Sequence, residues 1–287
     1  MVRTKAVALA ALFVFAGCGA RRGIVVGSKN FTEQVVLGEI IAQHIERTLG
    51  VRVERRLNLG GTMLAHEALV EGDIDLYPEY TGTALMAVLK QPIPAGRDSV
   101  LAKVRQEYLS RYQVSVLNPL GFDNSFAMVV RREEAEGAGL VSLSSAESYK
   151  PGWMVGIGYE FLDRADGWPA LTRTYKLPLQ GQPRSMDLGL LYQALEQGKV
   201  NMAAASATDG VLAGGRFMVL EDDRHAFPPY EAVICVRDGA LRGEPRLRAA
   251  LEALAGKIPA DRMRRLNHQV DVEHRSPAEA AREFLRQ

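Results

Sequence analysis

The chain has 287 residues, 47% of them hydrophobic, which is enough to bury a full core in one large or two medium domains. Its 35 Lys and Arg almost balance 34 Asp and Glu, so the charge gives no reason to expect nucleic acid or an acidic polymer as partner. Two cysteines and five scattered histidines offer no metal-ligand cluster, and no cofactor motif stands out.

At the N-terminus, Arg3 and Lys5 introduce an apolar stretch from Ala6 to Ala16, too short to span a bilayer as a mature helix. It runs into Phe15-Ala16-Gly17-Cys18, which resembles a bacterial lipoprotein signal peptide. That resemblance implies a signal peptide over residues 1–17 and lipidation of Cys18. Residues 18–23 would then tether the protein to the membrane without a transmembrane helix. Cys235 lies in the apolar run Ala232–Val236 and reads as a small core residue, so no disulfide is expected.

From there strands and helices alternate, the mark of α/β layers with mostly parallel sheets. Ile24–Val26 is a strand. Thr32 is placed to cap a helix whose apolar positions include Val36, Leu37, Ile40, Ile41 and Ile45, stopped by Gly50. Residues 51–57 alternate as a second strand. Gly60-Gly61-Thr62 opens a helix that ends at Gly72, and residues 74–77 form a third strand. After Pro119 a second cycle follows, with strands over 126–130 and 154–157, a helix over 187–197 ended by Gly198, and a strand over 200–204. The last crossing is 230–236, followed by helices over 245–257 and 277–286.

The two cycles align without a gap. Residues 68–76 match 194–202 in pattern, which puts Tyr80 opposite Ser206. Each copy is helix, glycine stop, strand and loop, and in open α/β sheets ligands bind beyond the carboxyl ends of the strands. Two such lobes facing one another make a cleft.

Several ordered motifs resemble the glycine betaine/choline/carnitine-binding proteins of osmoprotectant ABC importers. They are Gly27-Ser28-Lys29-Asn30-Phe31-Thr32-Glu33-Gln34, Asn58-Leu59-Gly60-Gly61-Thr62 and Tyr77-Pro78-Glu79-Tyr80-Thr81-Gly82-Thr83. Further along come residues 160–167, Ser185-Met186-Asp187, Ala207-Thr208-Asp209-Gly210 and Phe227-Pro228-Pro229-Tyr230. The similarity covers nearly all of the mature chain. It implies an α/β periplasmic-binding-protein clamshell, type II-like, with two crossover strands. Residues 24–120 and 223–287 would form the first lobe and 121–222 the second. It also implies an extracytoplasmic, monomeric protein that hands a quaternary amine or betaine to a permease.

A trimethylammonium group spreads its charge over methyls, so ring faces replace its water at about 0.5–2 kcal/mol each. The resemblance makes Tyr80, Phe126 and Tyr230 cage walls, with Ser206 standing where many relatives carry a further Tyr. Lys29, Thr83 and Arg164 match positions that hold the ligand's polar end. Gln34, Asn124 and Asp209 lie in motifs beside the cleft, and Tyr159 is a candidate to fill the space Ser206 leaves. Lys29 beside a helix start would repel the positive end of the dipole, a conflict that an anionic ligand group relieves. Lys29 and Arg164 together therefore point to a ligand carboxylate, and to betaine over choline.

An enzyme is not expected. The chain lacks a Gly-x-Ser-x-Gly elbow, a His-Glu-x-x-His pair and a Cys–His pair in a plausible loop. No helix-turn-helix pattern suggests a regulator. The alternative that stays open is the same fold with another ligand, amino-acid-like or a larger betaine such as ergothioneine.

Overall fold

The computed structural model describes residues 23–94 and 96–287, so the signal-peptide and Cys18 expectations lie outside the described residues. Among the described residues, ten strands form two five-stranded sheets. The first contains β1 (Ile24–Gly27), β2 (Val53–Arg56), β3 (Leu76–Tyr80), β4 (Val114–Val116) and β10 (Ala232–Arg237), in the order β2-β1-β3-β10-β4. The second contains β5 (Phe126–Arg131), β6 (Val155–Ile157), β7 (Arg184–Ser185), β8 (Met202–Ser206) and β9 (Phe217–Leu220), in the order β7-β6-β8-β5-β9. The orders are the same topology twice, with each sheet borrowing one strand from chain that has just left the other.

That borrowing corrects the expectation of mostly parallel sheets. β2, β1 and β3 run parallel, but β10 is antiparallel to both β3 and β4. Likewise β5 is antiparallel to β8 and β9. A crossover strand enters its sheet from the cleft side, where the parallel strands end, so it must run the opposite way.

Helix α1 (Thr32–Leu49) buries Val36, Leu37, Ile40, Ile41 and Ile45 on one face of the first sheet, and Gly50 closes it in the left-handed conformation at φ 68°. Thr32 is its first residue and not its cap; its hydroxyl is drawn instead to Asp271 at 2.6 Å. Helix α2 (Thr62–Glu71) follows Gly61, ends at Gly72 with φ 86°, and buries Ala65 and Leu69 on the opposite face with Leu85, Val100 and Val104. The C-terminal helices Leu247–Glu252, Ala260–Asp271 and Pro277–Phe284 pack on α1. Apolar side chains thus cover both faces of the sheet, as the continuous hydrophobic runs of β1 and β10 require.

The second sheet repeats this with two apolar clusters. One is built around Trp153, Phe161 and Met202, the other around Leu191, Leu195 and Val200 from and near the helix Leu188–Glu196. The aligned segments superpose in role: α2, Gly72 and β3 correspond to the helix Leu188–Glu196, Gly198 and β8.

Between the sheets the chain crosses twice, and the crossings pair. Asp123 and Glu231 form an antiparallel bridge. Asn124 N–H donates to the Tyr230 carbonyl at 3.0 Å and Ala232 N–H to the Phe122 carbonyl at 3.1 Å. A third link is made by the helix Ala260–Asp271, which belongs to the first core but packs on the 3-10 turn Gly210–Gly214 of the second half. A Cβ on Gly210 would lie 2.5 Å from the His268 backbone nitrogen, so only glycine permits this approach.

Candidate ligand-binding site

β3 delivers Tyr80 at its carboxyl end, where the turn Thr81–Thr83 begins. Tyr80 is 4% exposed and its ring stacks on Phe31 with centroids 6.3 Å apart. Gly82 allows the second crossover to lie against this turn: a Cβ there would meet the Pro229 carbonyl at 2.6 Å and the Tyr230 ring at 2.8 Å. Tyr230 is therefore held beside the end of β3. Phe126 begins β5 and touches Tyr230, Phe161 and Phe227 edge-on, with centroids 5.7, 4.8 and 5.9 Å away. The three aromatics named from the sequence thus gather where the crossovers meet the sheet ends. Ser206 ends β8 directly opposite Phe126 in the ladder.

The basic residues have internal partners. Lys29 is 3% exposed, ion-paired with the fully buried Glu79, and donates to the Thr62 hydroxyl at 3.2 Å. Its ammonium stands 5.1 Å from the Tyr80 ring centroid. Glu79 also accepts from the Tyr77 hydroxyl at 2.9 Å and from the Tyr80 N–H at 2.7 Å. The counter-charge that Lys29 required is thus supplied by the protein, fifty residues along the chain. Arg164 donates twice to Asp166, at 3.0 and 2.7 Å, and its guanidinium lies 5.1 Å from the Phe126 ring and 5.9 Å from that of Tyr230. The Tyr230 hydroxyl also donates to Asp166. Burial opposes ionisation of Asp166, yet Arg164 and Tyr230 hold it below the usual carboxylate range.

Sequence reasoning passed over Glu33, which the structure puts at the centre. It sits in the first turn of α1, where the helix dipole favours a carboxylate. Its Oε1 accepts from the Tyr80 hydroxyl at 2.6 Å and from Asn124 Nδ2 at 2.9 Å, and its Oε2 accepts from Asn267 Nδ2 at 3.0 Å. Asn267 also donates to the Thr208 carbonyl at 2.8 Å, and the Ser206 hydroxyl donates to Asn124 Oδ1. Ser206 N–H donates to Asp209, which accepts from the Tyr192 hydroxyl at 2.8 Å. One network therefore runs from α1 through the first crossover and the 260–271 helix to the second sheet. Burial raises Glu33 to about 7 against the pull of Thr208, Tyr80 and Asn267, and Asp209 adds to the rise. Burial likewise raises Asp209 to about 6.

Among the remaining candidates, Thr83 is buried in the turn after β3, and Gln34 is fully buried and accepts the Lys29 N–H at 3.4 Å. Tyr159 begins the short helix Tyr159–Asp163, 60% exposed, away from the ring contacts of the site. The space beside Ser206 is bridged by Asn124 and Thr208 instead. The adjacency of Glu33 and Phe31 to Lys29 in one motif was a usable signal for both residues.

Two similar α/β lobes, joined by paired crossovers with rings and polar groups at the junction, define a solute-binding clamshell. The chain belongs to the family described as the substrate binding domain of the ABC-type glycine betaine transport system, matched over residues 22–287. Its role is to bind a substrate for transport, and it is not an enzyme. A glycine-betaine-binding protein of Pseudomonas aeruginosa is 31% identical, covering 100% of this chain and 94% of that protein. A carnitine transport binding protein, OpuCC, of Listeria monocytogenes is 29% identical over 94% of this chain and 88% of its own. An ergothioneine transport permease/ergothioneine binding protein, EgtU, of Helicobacter pylori is 32% identical over 91% of this chain, which spans 47% of that longer protein. Among solved structures, a glycine betaine/carnitine/choline ABC transporter protein superposes with a TM-score of 0.84 at 28% identity, covering 92% and 97% of the two chains.

Proposed function

We propose that this protein is an extracytoplasmic, lipid-anchored receptor that captures a quaternary ammonium compound between its lobes and delivers it to the permease of an ABC importer. The observation that carries the reading is that Phe126 of β5 touches Tyr230 of the second crossover, and that both lie in or against the same apolar cluster as Tyr80 at the end of β3. Ring faces there suit a cation that cannot donate strong hydrogen bonds. Residues 24–120 with 223–287, and residues 121–222, are the two lobes, and they open by bending at the Asp123–Glu231 ribbon. Opening would separate Asn267 from Thr208 and the 260–271 helix from Gly210. Cys18 carries the lipid, and the protein acts as a monomer. The names of the relatives from P. aeruginosa and L. monocytogenes support the ligand class.

A second reading is favoured by one feature. Ser206 puts a small side chain where Tyr80 stands in the other half, and the relative from H. pylori is named for ergothioneine, a larger betaine. A thermal-shift screen over quaternary amines, ergothioneine and free amino acids separates the two readings. A ligand at 100 times its Kd adds about 2.7 kcal/mol of stability, a clear shift. Stabilisation by amino acids and by no quaternary amine contradicts both.

A further inference from the structure

Four charged positions line the junction with known partners, and two carboxylates do not. Lys29 is matched by Glu79 and Arg164 by Asp166, so each pair cancels. Glu33 and Asp209 are left. Every group within hydrogen-bond distance of them is neutral: the Thr208, Tyr80 and Tyr192 hydroxyls, the amides of Asn124 and Asn267, and the Ser206 N–H. Among the described residues no ion pair reaches either carboxylate. The basic side chains on neighbouring elements are engaged elsewhere. Lys29 is tied to Glu79; Arg264 is tied to Asp261 at 2.8 Å and to the Ala207 carbonyl; and His268 lies against the Gly210 carbonyl with Glu273 at 3.9 Å. The remaining charge nearby, Asp271, is negative and adds to the rise of Asp209.

The neighbours of Glu33 are all donors, an arrangement that stabilises an anion. An anion buried without a cation is costly, so the arrangement makes sense when a cation arrives from outside. One more group is left open at the same place. Asn267, 3% exposed and bonded to Glu33 through Nδ2, has no partner for Oδ1.

We infer that Glu33 and Asp209 are the specificity-determining counter-charges of the site, and that it takes a ligand of net positive charge in preference to a zwitterion held by Lys29 or Arg164. This rests on the quaternary-amine reading and reverses the carboxylate preference that Lys29 and Arg164 suggest when read from sequence. A cation beside Glu33 favours its ionised form, so binding releases a proton wherever free Glu33 still holds one. Affinity for a cation then rises with pH up to the neutral range and levels above it.

The test compares choline with glycine betaine, which share a trimethylammonium and differ in the carboxylate, by titration calorimetry on the full mature chain at pH 6 and pH 8. Choline should bind at least tenfold tighter at pH 8. It should weaken at pH 6, with a heat that depends on the buffer's ionisation enthalpy. Glu33→Gln should reduce choline affinity at least tenfold, leave betaine little changed and abolish proton release. Asp209→Asn should narrow the same ratio, and serves if Glu33→Gln does not fold. Betaine bound as tightly as choline, with the ratio unchanged in either variant, overturns the inference and leaves the quaternary-amine reading standing. Binding of neither ligand removes both.

Discussion

Tyr80 and Ser206 end equivalent strands, β3 and β8, but only one of them carries a ring. Each faces the first residue of an antiparallel crossover strand, Tyr80 opposite Ala232 and Ser206 opposite Phe126. The ring at this pairing is thus supplied by the parallel strand in one lobe and by the crossover strand in the other. Because the Ser206 hydroxyl anchors Asn124, which in turn holds Glu33, a ring at 206 would have to displace that amide. Ser206→Tyr is expected to weaken every quaternary amine by about tenfold, or about 1.4 kcal/mol. Calorimetry that shows tighter binding of a small betaine in this variant would mean that the space beside Ser206 is open.

On the proposed reading, Tyr80 acts through its face and its hydroxyl together. Tyr80→Ala should remove a ring worth about 0.5–2 kcal/mol to a cation and expose the site at all pH values. Tyr80→Phe keeps the ring and takes one donor from Glu33, so Glu33 should hold its proton to higher pH. Affinity in Tyr80→Phe should therefore fall near neutrality and recover at pH 8.5, which a pH series of dissociation constants would reveal. Equal losses in both variants at every pH would contradict the coupling.

Ligand-free stability should carry the signature of Glu33. Its carboxyl titrates near 4.5 when unfolded and at about 7 when folded. Between those values the native state holds a proton that the unfolded state gives up, so this contribution is lost as pH rises through that window and is flat above it. The loss is on the order of 3 kcal/mol, because each pH unit separating the folded and unfolded values is worth about 1.36 kcal/mol. Urea unfolding at pH 5 and pH 8 should show the difference between wild type and Glu33→Gln changing by that amount, with the variant relatively more stable at pH 8. A difference independent of pH would rule out a raised Glu33.

Gly210 controls how closely the two halves dock. An Ala there puts a methyl into the backbone of residues 267 and 268, too close for a side-chain rotation to relieve. Gly210→Ala should cost about 1–3 kcal/mol of stability, as overpacking does, and should also lower ligand affinity by disturbing the Asn267–Thr208 contact. Scattering profiles of the ligand-bound variant should be more extended than those of wild type. Unaltered affinity and shape would mean that the 260–271 helix does not take part in closure.

The repeat was legible because it is local. Glycines at 72 and 198 and the same apolar spacing on either side give α2–β3 and its counterpart over 188–206. The motifs single out Tyr80, Phe126 and Tyr230, and the fold places all three in or against one apolar cluster. What was hidden is who pairs with whom. Lys29 reads as a free cation until folding places Glu79 beside it, and Glu33 reads as a helix-start residue until Tyr80, Asn124 and Asn267 converge on it from three separate segments. The role given to Thr32 changed for the same reason, since Asp271 lies 239 residues away and outcompetes the local cap. Charge balance in a cleft depends on long-range neighbours that spacing does not encode.

If ring faces hold a permanent cation between the lobes, the charge itself should dominate affinity. The most direct measurement is calorimetry of the mature chain with choline and with its neutral isostere 3,3-dimethylbutan-1-ol, alike in shape and hydroxyl but without the charge. Two or three ring faces at about 0.5–2 kcal/mol each predict that choline binds at least tenfold tighter. Equal affinity for the two, or binding of the neutral compound alone, would contradict the account.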